Sequence, residues 1–286
     1  MSELEFWLPK INASLDTLEK ELGIRLLHVC ESGSRAWGFP SADSDFDVRF
    51  LYAQPLAGYL RLGRLKDTRE WFDANGMLDF SGWDVKKALE LFMACNLSLN
   101  EHLRSPLVYR EQPSFSEALR ALIPDYFQPV KGMFHYFSSA QHNEELLKDF
   151  PSIKIKKLFY ILRPLSACEW IWENGTMPPT EFLSHWNASS FSSGVKEMIG
   201  SLIESKKTTN ERNPVAIPEA VCREVREMFH LMEERTTTAA QRFGKRKTPG
   251  AEPLEALFQH LVTGFTFPER DICGNSNENE YSGYSF

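Results

Sequence analysis

ESGSRAWGFPSADSDFDVRFLY, residues 31–52, decides how this chain is read. Asp45, Asp47, Arg49 and Leu51 alternate with Phe46, Val48 and Phe50, which places the two sets on opposite faces of one strand. The aromatic and aliphatic face belongs against a helical layer. The two aspartates then project together from the other face, where like charges repel unless a cation lies between them. Oxygen donors of this kind suit Mg²⁺ or Mn²⁺ rather than Zn²⁺. Upstream, Gly33 allows close backbone approach, Ser34 offers a hydroxyl and an amide, and Arg35 adds positive charge. A phosphate cradle followed by paired carboxylates is the equipment of phosphoryl transfer.

Working outward, Ile11, Leu15, Leu18 and Leu22 recur at helical spacing and Gly23 follows, which predicts an amphipathic helix with a glycine stop. IRLLHVCESG, residues 24–33, is short, apolar and closed by a small-residue turn, which predicts a buried, central strand. Residues 53–71 mix Pro55, Gly58 and Gly63 with charges and are expected to form a connector with a little structure. MLDFSGW (77–83) predicts a third strand, and DVKKALELFMACN (84–96) a helix with Asp84 as N-cap. From about residue 115 the pattern is helical, near 115–123, 129–148, 153–173, 193–206, 217–241 and 252–262, with no further strands expected. The fold class is therefore α/β (α+β): an α/β unit over 1–112, a mainly helical unit over 113–268, and a polar, unpatterned and hence mobile tail over 269–286.

A formal charge of -7 argues against a protein that coats nucleic acid non-specifically, although a local basic groove is compatible with it. Five widely separated cysteines without CxxC spacing point to buried free thiols rather than a disulfide framework or a zinc site. The acidic N-terminal stretch and the lack of an apolar run near the roughly 18 residues of a membrane span predict a cytoplasmic protein without membrane contact.

GSRAWGFPSADSDFDV (33–48) resembles the signature of the DNA polymerase β-like nucleotidyltransferases, and GSRAWG with DSDFDVRF is similar to the branch associated with bacterial and phage RNA repair. LDFSGWDVKKALEL, NLSLNEHLRSPLVY and KKLFYILRPL extend the resemblance over most of residues 25–175. It implies a small mixed-sheet catalytic domain over 1–112 and Mg²⁺- or Mn²⁺-dependent transfer of a nucleoside monophosphate from a nucleoside triphosphate to a hydroxyl. Asp45 and Asp47 would hold metal, and Gly33, Ser34 and Arg35 the triphosphate. The superfamily usually adds a third carboxylate from a neighbouring strand. Asp79 and Asp84 compete for that place; Asp84 is already explained as a cap, which favours Asp79.

Four further residues are candidates for nucleotide contact. Lys87 stands in the first turn of a helix, a poor place for a cation unless a phosphate faces it, but an exposed side chain reaching solvent is the alternative. Lys157, Tyr160 and Arg163 lie along one flank of a predicted helix within KKLFYILRPL, with a solvated helix face as the alternative. Trp37 and Gly38 divide evenly between packing and substrate contact. Glu101 is expected to be a cap or an ion-pair partner rather than a catalytic group. Lys206, Lys207 and the bases from Arg242 to Lys247 are expected on the exposed surface, with a polynucleotide path as the minority reading. The acceptor is left open among an RNA terminus, including tRNA, a protein and a small molecule, as is the oligomeric state. The rival reading is a nucleotide-binding sensor or antitoxin-like module that binds triphosphate without turnover.

Overall fold

The computed structural model describes residues 3–42, 44–72, 76–149, 151–206 and 214–264. Helix α1 (Glu3–Leu22) leads into strand β1 (Arg25–Glu31), a short turn of helix α2 (Gly33–Ala36) and strand β2 (Phe46–Ala53). After α3 (Leu56–Tyr59) come β3 (Thr68–Phe72), β4 (Leu78–Asp84), α4 (Val85–Met93), α5 (Leu97–Leu103) and β5 (Val108–Glu111). The five strands form one sheet in the order β3-β4-β2-β1-β5. It is mixed: β2 and β4 run parallel, and the other neighbours are antiparallel.

Alternation along β2 works as the sequence dictates. Phe46, Val48, Phe50 and Tyr52 join Leu78 and Phe80 of β4 in an apolar layer against Ile11 and Leu15 of α1. Each fully buried side chain of this size contributes roughly 1.5–3 kcal/mol. Gly82 of β4 has a steric reason of its own, since a Cβ there would stand 2.2 Å from the ring of Phe50. Asp84 caps α4 by accepting from the Lys86 amide at 2.9 Å, as expected, and is buried with Gln54 and Tyr59 on its other oxygen.

The second half contains α6 (Pro113–Tyr126), α7 (Pro129–Gln141), β6 (Ser152–Lys154), α8 (Ile155–Asn174), α9 (Phe182–Trp186), α10 (Ser193–Lys206), β7 (Pro214–Ala216), α11 (Glu219–Phe243) and α12 (Glu252–Gly264). Its core is continuous with the other face of the sheet: Leu27, Leu51, Val85 and Phe39 share one apolar cluster with Phe159, Leu162, Val225 and Met232.

Several expectations need correction. The connector over 53–71 supplies β3, an edge strand with three exposed residues, and the short β5 closes the opposite edge. Strands do recur in the helical half, because β6 and β7 pair antiparallel across about 60 residues of intervening chain. Lys206 is not on the surface: it is 1% exposed, and its amine donates to the Phe39 carbonyl at 2.6 Å. The four described cysteines are free and buried. No described helix is long and apolar enough to cross a membrane. The tail over 269–286, Asp43, Lys207 and Cys273 lie outside the described residues.

Candidate active site

The end of β1 and the start of β2 are tied together before the loop between them departs. The Ser32 amide donates to the Asp47 carbonyl at 2.8 Å, and the Asp47 amide donates to the buried Glu31 carboxylate at 2.9 Å. Gly33 then turns with φ +61, a conformation that favours glycine. Closeness matters as much as angle, because a Cβ at Gly33 would stand 2.1 Å from Oδ2 of Asp47. Gly33 and Asp47 therefore lie against each other.

Ser34, Ser41 and Ser44 close the loop through their side chains: the Ser34 hydroxyl donates to Ser44 Oγ at 3.2 Å, and Ser41 and Ser44 share a bond of 2.8 Å. Arg35 clamps the loop from behind. Its guanidinium donates to the Ser44 and Asp45 carbonyls, forms two bonds to Glu3 and lies 3.8 Å from the centre of the Phe46 ring.

A cleft with a cavity of about 660 Å³ opens over this loop. Gly33, Ser34, Asp45 and Asp47 form one wall, Lys154, Lys156, Lys157 and Tyr160 another, with Trp37 and Lys206 between. It thus collects six of the residues expected from sequence: Gly33, Ser34, Asp45, Asp47, Lys157 and Tyr160. Lys154, Lys156 and Lys206 were missed. The alternating lysines of SIKIKK carry a signal for a strand edge entering a helix, but only the β6–β7 pairing turns that edge toward the aspartates.

Asp79 stands directly across from Asp47 in the parallel β2–β4 register, whereas Asp84 is level with Tyr52, five residues farther along the sheet. Arg49 ties Asp79 to Asp47, donating to Oδ1 of Asp47 at 2.8 Å and Oδ2 of Asp79 at 2.9 Å. Burial raises the Asp47 carboxyl above its ordinary value; Arg49 opposes the shift, and the charges of Asp45 and Asp79 add to it. Burial pushes Glu31, beneath Asp47, up to about 7, against its bonds from Tyr109 and the Asp47 amide.

Among the described residues no group of three or more metal-ligating side chains is assembled. Asp45 and Asp47 nevertheless fit a divalent cation: they are hard oxygen donors on the cleft wall, and the charge of Asp45 disfavours the charged form of Asp47, a repulsion that a cation between them would relieve.

Two other candidates are engaged elsewhere. The Lys87 amine donates to Asp67 and Thr68 beyond the far end of β4. Arg163 pairs with Glu101 at 2.5 Å, and its guanidinium lies 4.1 Å from the Trp37 ring centre, which makes it the support behind a cleft-lining aromatic. Glu101 is therefore the ion-pair partner that one of its two expected readings described, and it also accepts from the Tyr136 hydroxyl at 2.6 Å.

A family model described as the RNA repair pathway DNA polymerase beta family matches residues 8–260. The chain belongs to that family. The mixed five-stranded sheet followed by a helical region is the fold class expected from the sequence. YcgL of Bacillus subtilis (strain 168), an uncharacterised protein, is 34% identical over 253 residues that cover 88% of this chain and 95% of that one. A nucleotidyltransferase-like protein from Exiguobacterium sibiricum aligns over 88% of this chain and 87% of its own, at 10% identity and a TM-score of 0.33.

Proposed function

We propose that this polymerase β family member transfers a nucleoside monophosphate from a nucleoside triphosphate to an acceptor hydroxyl and releases pyrophosphate. The observation that carries the proposal is the cleft in which Gly33 abuts Asp47 on one wall while Lys154, Lys156 and Lys157 line the other. A triphosphate seated there lies between a backbone cradle and three ammonium groups. Tyr160 and Trp37 offer rings for the base. Mg²⁺ or Mn²⁺ on Asp45 and Asp47 would supply charge neutralisation along the triphosphate.

The acceptor oxygen bonds to the α-phosphorus, the bond from that phosphorus to the bridging oxygen breaks, and the electron pair leaves with pyrophosphate. The hydroxyl proton passes to the Asp79 carboxylate, which Arg49 orients beside Asp47. Lys154, Lys156 and Lys157 hold the departing charge. Membership in an RNA repair family supports an RNA terminus as acceptor.

The test is to incubate the protein with each labelled triphosphate, Mg²⁺ and RNA, and to follow pyrophosphate and label. Asp47→Asn should abolish both while the protein still folds; full turnover by that variant refutes the assignment. A second reading, triphosphate sensing without turnover, is favoured by one observation: the Arg49 guanidinium already bridges Asp47 and Asp79. Triphosphate binding with no pyrophosphate release from any acceptor would select it.

A further inference from the structure

The Arg49 guanidinium that touches Asp47 and Asp79 faces a second space. On the same sheet face, one step along the strands from the aspartates, lies a separate cavity of about 290 Å³ lined by Arg49, Ser81, Trp83, Asn96, Ser98 and His102. The register explains its position: Asp79 is level with Asp47, Ser81 with Arg49, and Trp83 with Leu51, so the wall of the cavity continues directly from the carboxylates. Helix α5 closes the other side.

The chemistry of this lining is specific. Trp83 and His102 form a tilted aromatic pair, with ring centres 5.5 Å apart and an interplanar angle of 32°. Burial, helped by nearby Arg49 and opposed by Glu101, pulls the His102 imidazole down to about 4, so it stays neutral near pH 7 and does not add to the charge of Arg49. Asn96 uses its side-chain oxygen to cap α5 at the Leu99 amide, so its amide nitrogen remains a donor. Ser81 and Ser98 add hydroxyls. One flat aromatic surface, a guanidinium whose Nε is left over once its two terminal nitrogens have bonded Asp47, Asp79 and the Val48 carbonyl, and several small hydrogen-bonding groups match a base, a phosphate and a ribose respectively. The volume is at the small end of ligand pockets, about 300 Å³, which suits a single nucleoside unit and excludes a duplex.

We propose that this cavity receives the terminal nucleotide of a single-stranded RNA, its base against Trp83, its phosphate on Arg49 and its terminal hydroxyl toward Asp79. The fate of that hydroxyl rests on the transfer reaction proposed above; the binding of the strand does not. A serine or threonine acceptor on a protein has no use for an aromatic platform beside a guanidinium.

The experiment uses the full chain and a single-stranded oligoribonucleotide ending in 4-thiouridine, photo-crosslinked with and without triphosphate and mapped by mass spectrometry. The crosslink is expected in β4 or α5. Trp83→Ala should lower its yield about tenfold and raise KM for the oligonucleotide by a similar factor, leaving KM for the triphosphate unchanged, while Trp83→Phe keeps both near wild type. Ser98→Glu provides a second variant, because an acidic residue is well tolerated in the first turn of a helix. It should fold and still repel the strand.

Crosslinks confined to other elements, or wild-type yields from both Trp83→Ala and Ser98→Glu, overturn the inference even if label reaches RNA by another route. Transfer of label to protein hydroxyls with no crosslink in β4 or α5 overturns it too. A crosslink at Trp83 in a protein that binds no triphosphate supports the RNA site and refutes the transfer reaction instead.

Discussion

A methyl group at Gly33 meets two obstacles at once: a positive φ of 61° and the carboxylate oxygen of Asp47 at 2.1 Å. The conformation alone costs about 1–2 kcal/mol for a side-chain-bearing residue, and the overlap displaces a proposed metal ligand. Gly33→Ala is thus expected to lose transfer by more than its modest fall in melting temperature would explain, a split that parallel activity and thermal-melt measurements will reveal. Asp47→Asn should separate the same quantities more sharply. Activity should fall on the order of a thousandfold or more, yet the melting temperature should hold, because burial and the neighbouring Asp45 and Asp79 already disfavour the charged form. Glu31 carries a pH signature. Its folded value of about 7 lies above the ordinary 4.5, so the stability that its protonated form contributes is fully present below about 4.5 and is lost as pH rises through 7. Glu31→Gln should remove that decline, standing at most about 3 kcal/mol above wild type at pH 8 and converging with it near pH 4 in denaturant titrations.

At the scale of elements, what could be read from sequence was whatever is written in local periodicity. β2 and β4 were legible because apolar and polar residues alternate along them, and α4 because Asp84 is a cap with a hydrophobic face behind it. β3 was not legible: Trp71 and Phe72 lie exposed on an edge, so no burial pattern marks the strand. β6 and β7 are three residues each and owe their existence to a distant partner. The roles of cations near the motif were equally hidden. Arg35, Lys87 and Arg163 have the charge a triphosphate wants, but which acid each one reaches is set by tertiary contacts. Arg163 joins α8 to Glu101 of α5 in a largely buried pair, and removing one member of such a pair costs about 3–5 kcal/mol. Burial would raise the Glu101 carboxyl, yet Arg163 and Tyr136 hold it below its usual value. Its contribution is therefore present above the ordinary carboxylate range and lost as pH falls. Glu101→Gln should lower the melting temperature by roughly 6–15 °C near pH 7, with the difference from wild type narrowing in acid.

Across the whole molecule, an acidic chain of net charge -7 concentrates positive charge where the helical half faces the aspartates. Replacing Lys154, Lys156 and Lys157 by alanine is expected to weaken triphosphate binding roughly a hundredfold, a loss that calorimetric titration should find smaller as salt is added. Lys206 shows why such a wall escapes a linear reading: at the end of a helix it looks like a solvent-facing base, and only the fold brings its amine to the Phe39 carbonyl. Phe39 itself, seven positions before the Phe46–Ala53 strand, stacks on Phe159 of α8 with ring centres 4.5 Å apart. This ring pair, with the Lys206 bond to the Phe39 carbonyl and Arg163 against Trp37, keys the glycine loop to the helical half. For protein engineering, this makes residue 112 a poor splice point: a chimera that takes its front from one relative and its back from another will misfit at these rings unless both come from the same parent.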